Sequence, residues 1–203
     1  MKNFNWSKYN TDKFSGHGYQ NIYNNYISRK SKIVVELGSR FESAQVWKDY
    51  FIDAKIICAD IVKFNPPEGI EFVAFDMNNT KNYNKLPNNI DIVIEDGPHT
   101  SKSQLTCLEQ IIPKLSKNGI ILFEDLHCTE KKYKNDLIKY QGDSDITIND
   151  LLREWKHGKF KDYKYIKGSK FKDTKFKIFI EHGNNIRWPH MNTPSEVIVF
   201  KKL

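Results

Sequence analysis

The sequence predicts an α/β protein: an open, doubly wound, mostly parallel sheet, preceded by a short N-terminal helical segment and closed by an antiparallel C-terminal edge. Two observations carry this. Five short apolar runs recur between residues 32 and 125, each the length of a buried strand and separated by helical patterns or crossovers. Four of the five end on a carboxylate, a placement that suits the ligand edge of an open sheet better than a core.

The elements follow in order. Tyr19, Ile22, Tyr23, Tyr26 and Ile27 have helical spacing. Lys32–Leu37 reads as a buried strand closed by Gly38, and Ser43–Phe51 as the helix after it. Lys55–Asp60, Glu71–Asp76 and Asp91–Asp96 are three further strands. A helix from Lys102 to Leu115 leads through Asn118 and Gly119 into a fifth strand ending at Asp125. Beyond it, a helix is expected over Ile146–Trp155 and two edge strands over Phe176–Glu181 and Glu196–Lys201. Right-handed crossovers are expected throughout.

Composition bounds what such a fold is for. With 203 residues, 39% hydrophobic and 28% charged, the chain reads as one domain with enough apolar material for a core. Within it, residues 1–30 form the helical segment, 31–130 the ligand-binding core and 131–203 the acceptor side and edge strands. The longest apolar runs, such as Ile120–Phe123, are too short to span a bilayer. The first ten residues lack the apolar stretch of a signal peptide. Cys58, Cys107 and Cys128 make no CxxC pair. A reducing, cytoplasmic protein without structural disulfides is expected. The net charge is +7. Lys156–Lys177 holds nine Lys and two Asp, so this segment carries the whole excess. It is either a solvated face or a platform for an anionic substrate.

The chemistry gathers at the strand ends. Glu36-Leu-Gly38-Ser39-Arg40 has one glycine where a dinucleotide fingerprint needs three. A ligand without a pyrophosphate is expected. Asp60 lies 22 residues past Gly38, at the end of the second strand, where a carboxylate takes both ribose hydroxyls of a nucleoside. S-adenosylmethionine fits both features. The fourth and fifth strands end Glu95-Asp96-Gly97-Pro98-His99 and Glu124-Asp125-Leu126-His127. If these strands are neighbours, about 5 Å apart, Asp96, Glu124 and Asp125 converge, and like charges so close call for a cation. An all-oxygen set suits Mg²⁺. His99 would overhang that site as a general base, with His127 ranked second. The bland alternative is that these acids cap helices. Trp6, Trp47 and Trp155 read as packing aromatics, and His182 and His190 as solvated loop histidines.

At these residues the chain resembles the metal-dependent class I methyltransferases of the macrocin and mycinamicin sugar O-methyltransferase type. Thr11-Asp12-Lys13 with His17 and Tyr19, the Glu95–His99 loop and Glu124–His127 carry the likeness, with 28 residues from Asp96 to Glu124. The resemblance implies a Rossmann-like fold, with Asp96, Glu124 and Asp125 as Mg²⁺ ligands and His99 as the base. It also implies cofactor contacts from Thr11, Lys13, Glu36, Gly38, Ser39, Asp60, Asp76, Met77 and Asp96. Pro98 departs from the family's serine, and the chain past Lys131 follows the family weakly. The expected acceptor is a small molecule, a sugar or an anionic metabolite, with neither nucleic acid nor membrane as partner and a homo-oligomer compatible. An RNA methyltransferase, a metal-dependent hydrolase and a non-catalytic binding protein are the rival readings.

Overall fold

A computed structural model describes residues 4–129, 134–183 and 196–203. The chain opens with a 3-10 turn over Trp6–Lys8, then α1 (Asp12–Ser15) and α2 (Gln20–Tyr26). Five parallel strands follow: β1 (Ile33–Leu37), β2 (Lys55–Asp60), β3 (Glu71–Ala74), β4 (Ile90–Glu95) and β5 (Leu115–Phe123). Helix α3 (Phe41–Tyr50) joins β1 to β2, and α4 (Ser101–Ile111) joins β4 to β5. Helix α4 stops short of the expected Leu115 because Pro113 cannot donate within a helix; a 3-10 turn over Ile112–Lys114 replaces its last turn. Helices α5 (Lys134–Gln141) and α6 (Ile148–Lys156) precede a small hairpin, β6 (Asp162–Tyr163) and β7 (Ile166–Lys167). The sheet ends with β8 (Phe176–His182) and β9 (Glu196–Lys202).

The strand order is β3-β2-β1-β4-β5-β9-β8, with β9 antiparallel to β5 and β8 antiparallel to β9. The order reverses between β1 and β4. That is where an open α/β sheet leaves a crevice at the strands' carboxyl ends. Alternate residues face opposite sides, so each strand feeds two cores. On one face Val35, Leu37, Val93 and Phe123 pack with Leu105, Leu108, Leu151 and Trp155 of α4 and α6. On the other, Val34, Ile56, Ile92 and Leu122 pack with α3 and the N-terminal segment through Trp6, Phe14, Tyr23 and Trp47. All three tryptophans read as packing residues are buried. The sheet is thus doubly wound, with the expected antiparallel edge.

The lysine-rich segment lies away from the sheet's crevice. Phe176 pairs with Lys202 and His182 with Glu196, so β8 begins at the edge opposite the carboxyl ends of β1–β5. Lys156, Lys175 and Lys177 line an apolar groove there with Trp155, Phe176 and Phe179. Lys161, Lys164 and Lys170 pair with Glu154, Asp143 and Glu109. None of these lysines lines the two cavities described below. His182 is exposed at the end of β8, and His190 lies outside the described residues.

Candidate active site

At the switch point the loops after β1 and β4 touch. The Asp96 N–H bonds to the Leu37 carbonyl at 2.8 Å. Gly38 has φ +85°, and a Cβ there would lie 2.1 Å from the Asp96 carbonyl oxygen. Only glycine meets both conditions. Gly97 abuts Met77, whose sulfur would be 2.2 Å from an added Cβ. Two cavities open on either side of this glycine neck, sharing Gly38, Arg40, Asp96 and Gly97.

One cavity, of about 340 Å³, is lined by Asp60, Asp76 and the apolar Ile61, Val62, Phe75 and Met77. Asp60 Oδ1 accepts from the Val62 N–H at 2.6 Å, and Asp76 Oδ1 from the Asn78 N–H at 2.9 Å. Each acid thus fixes its own turn with one oxygen. The other cavity, of about 370 Å³, is polar: Thr11, Asp12, Lys13, Arg40, Glu42, Asp96, His99 and Asp125 are on its wall. One donor atom from each of Asp96, His99 and Asp125 lies within 4.8 Å of the others. His99 Nε2 is 3.8 Å from Asp96 Oδ1 and 3.6 Å from Asp125 Oδ2. His99 and Asp125 both have φ +54°, a sparsely populated conformation for residues other than glycine.

Behind this wall lies a buried charge network. Lys13 Nζ is 2.5 Å from Asp96 Oδ2, 2.8 Å from Glu124 Oε2 and 3.4 Å from Glu36 Oε1. Burial works against the ammonium, but Asp96, Glu124 and Glu36 outweigh it and hold Lys13 well above the usual lysine range. Burial pushes the Glu124 and Asp96 carboxyls up, with Lys13 opposing. For Asp125, burial is outweighed by His17, His99 and Tyr19, which leave it below the ordinary carboxylate range. Glu95, fully buried, is raised to about 7, chiefly by burial.

Two of the expected residues are turned away from the cavities. Ser39 lines a smaller pocket beside the apolar cavity with Arg40, Asp60 and Val62, whereas Glu36, expected at the cofactor, stands on neither cavity wall. Glu36 is buried and accepts from Ser39 Oγ at 2.5 Å and Ser43 Oγ at 2.7 Å, so it holds the turn after β1. Glu124, expected beside Asp96 and Asp125 at a metal, is turned inward. Lys13 takes one of its oxygens and the Tyr23 hydroxyl the other. Glu124 lines neither cavity. His127, in a 3-10 turn over Leu126–Thr129, lines neither cavity. Arg40, Glu42 and the tyrosines of the N-terminal segment were not singled out as site residues in the sequence. Of these, Tyr19 belongs to the motif that carries the family likeness, whereas Tyr23 shows in the sequence only as part of a helical stripe.

No family model matches the chain. An 8-demethyl-8-alpha-L-rhamnosyl tetracenomycin-C 2'-O-methyltransferase of Streptomyces olivaceus is 26% identical over 139 residues, covering 60% of this chain and 36% of that protein. The MycE methyltransferase of the mycinamycin biosynthetic pathway, solved with Mg, S-adenosylhomocysteine and mycinamycin VI, superposes with a TM-score of 0.72 at 18% identity. That match covers 97% of this chain and 52% of that one. A second MycE crystal, with Mg and S-adenosylhomocysteine, gives a TM-score of 0.69 at 18% identity, covering 97% and 53%. The chain therefore spans about half the length of MycE and about a third of the curated relative. Its fold is the Rossmann-like fold of the class I methyltransferases, shared with MycE, and the likeness read from its motifs agrees with the name of the curated relative.

Proposed function

We propose that the protein is an S-adenosylmethionine-dependent O-methyltransferase, assisted by Mg²⁺, acting on a hydroxyl of a small sugar or sugar-derived molecule. One observation carries this: two cavities, one apolar and acid-edged, the other polar and lined by Asp96, His99 and Asp125, meet at the neck of Gly38 and Gly97. A nucleoside on one side and an acceptor on the other would meet there. The relatives that bind S-adenosylhomocysteine and Mg, or that bear the name of a rhamnosyl 2'-O-methyltransferase, support the same reading.

The residues fit both groups. Asp60 has an oxygen with no protein partner among the described residues, and a carboxylate accepts from two ribose hydroxyls at once. Ile61, Val62, Phe75 and Met77 give an adenine apolar walls. Asp96 and Asp125 offer hard oxygen donors to Mg²⁺, with Glu124 as the reserve ligand behind them. When bound, the cofactor supplies the methyl group and Mg²⁺ a positive charge beside the acceptor oxygen. His99, on the cavity wall, takes the acceptor's proton; the walls hold the two reactants in line, which removes much of the entropic barrier.

The lysine-rich face sits at the far end of the sheet, away from the cavity that would hold the acceptor. Calorimetry with S-adenosylmethionine tests the reading. The protein should bind it, and Asp60→Ala should weaken binding by roughly 1.5–3 kcal/mol, the worth of hydrogen bonds to a charged group. Binding of wild-type strength in the variant would remove Asp60 from the site. No binding by either protein would return the fold to a hydrolase or to a non-catalytic role.

A further inference from the structure

The N-terminal segment does more than roof the polar cavity. Its donors take up oxygens of the three acids in a consistent way. For Asp96, Lys13 takes Oδ2, and Oδ1 is the oxygen nearest His99. For Asp125, the Tyr19 hydroxyl takes Oδ1 at 2.5 Å, with His17 Nδ1 3.4 Å from the same oxygen, and Oδ2 is the oxygen nearest His99. For Glu124, Lys13 and Tyr23 occupy both oxygens. We propose that Tyr19, with Lys13, selects the single oxygen that each of Asp125 and Asp96 presents to a divalent cation, and that Tyr19 is therefore a positioning residue of the cation site. The inference rests on the metal-assisted reading above and goes beyond it, since it concerns the hydrogen-bond donors that hold the ligands rather than the ligands themselves.

The geometry of Tyr19 fits such a task. Its ring is fully buried and stacks on His17 at 5.1 Å. It also packs against Gly183, where an added Cβ would come 2.8 Å from the ring and 2.3 Å from the His17 carbonyl. The ring thus has little room to turn. Its hydroxyl donates to the Asp125 carboxylate and accepts from the Asp125 N–H at 3.4 Å. It holds side chain and backbone of a residue strained at φ +54°. Partners one step behind the ligands commonly fix ligand orientation, and their loss costs about 10- to 100-fold in metal affinity.

The test is the affinity of the intact protein for Mn²⁺, followed by electron paramagnetic resonance, and for Mg²⁺ by calorimetry. Tyr19→Phe keeps the ring in its slot and removes one hydroxyl. It should bind both ions about 10- to 100-fold more weakly, with S-adenosylmethionine affinity unchanged. Tyr23→Phe lies one turn further along the same helix and loses the same kind of bond. It should show no weakening, because it frees Glu124 rather than misplacing Asp125. Wild-type affinity in Tyr19→Phe, beside a clear loss in Asp125→Asn, overturns the selecting role and leaves the metal site standing. Equal losses in Tyr19→Phe and Tyr23→Phe also overturn it, since they would report a loosened helix. If the wild-type protein binds neither ion, the metal-assisted reading and this inference fall together.

Discussion

Replacing Lys13 with Met puts the buried network to its severest test. Met keeps the apolar stem and removes an ammonium that lies within 3.4 Å of Asp96, Glu124 and Glu36. Glu36 and Glu124 are almost fully buried, so water cannot take the ammonium's place. Breaking a buried ion pair from one side costs about 3–5 kcal/mol, a large share of the roughly 5–15 kcal/mol that holds a natural domain together. At a slope of about 2 kcal/mol per molar urea, the unfolding midpoint should fall by about 2 M. The assay is urea unfolding followed by fluorescence of the buried Trp6, Trp47 and Trp155. EDTA must be present, because a divalent ion could replace the lost charge. Adding Glu124→Gln to the variant should restore part of the loss, with a coupling of about 0.5–3 kcal/mol. A midpoint that moves by less than about 0.5 M, near 1 kcal/mol at that slope, would refute the argument. Lys13 would then not be seated among the carboxylates.

Two further outcomes follow from the site. Glu95 has its folded-state carboxyl raised from 4.5 to about 7, so it binds its proton more tightly folded than unfolded. Its contribution is full below pH 4.5 and is lost as pH rises through about 7. Relative to wild type, Glu95→Gln should gain stability between pH 5 and pH 8 by on the order of 3 kcal/mol, measured by urea unfolding at each pH; a parallel pH profile would sink the assignment. His99→Ala should lower kcat for methyl transfer by about 10²–10⁴ with S-adenosylmethionine affinity intact. A normal kcat there, with a loss in His127→Ala, would move the base to the fifth strand's loop.

The sheet was legible in the sequence because its signals are local. Apolar runs of four to six residues closed by Gly38, Asp60, Asp96 and Asp125 mark both the strands and the edge they point to. The convergence of Asp96 and Asp125 followed from strand adjacency alone. What sequence spacing could not carry was side-chain direction at those ends. Glu124 and Asp125 are consecutive carboxylates, yet only Asp125 stands on the cavity wall. The difference comes from donors more than a hundred residues away, Tyr23 for one and Tyr19 for the other. The direction of Glu36 is set in the same way: Ser39 and Ser43, close in sequence, and Lys13, remote from it, turn it inward. Lys156–Lys177 is locally conspicuous but topologically remote, since only the antiparallel pairing of β8 with β9 tells which edge it occupies.

The same network bears on how the N-terminal segment belongs to the domain. A buried charge cluster is a poor source of stability, because apolar side chains of similar volume often do as well or better. What a cluster of this kind contributes is position. Lys13 bonds across 83 residues to Asp96 and 111 to Glu124, while Tyr19 and Tyr23 reach 106 and 101 residues to Asp125 and Glu124. Each bond joins the segment to a loop that ends a central strand. If the segment lifted away, Glu36, Asp96 and Glu124 would lose their counter-ion and Asp125 its hydroxyl partner together. The aromatic packing of Trp6, Phe14 and Tyr23 against Trp47 and Tyr50 opposes that motion from the other side of the same helices. The cavity wall and the carboxylate oxygens that face it are therefore set by one cooperative contact, and a change in either should be felt in both.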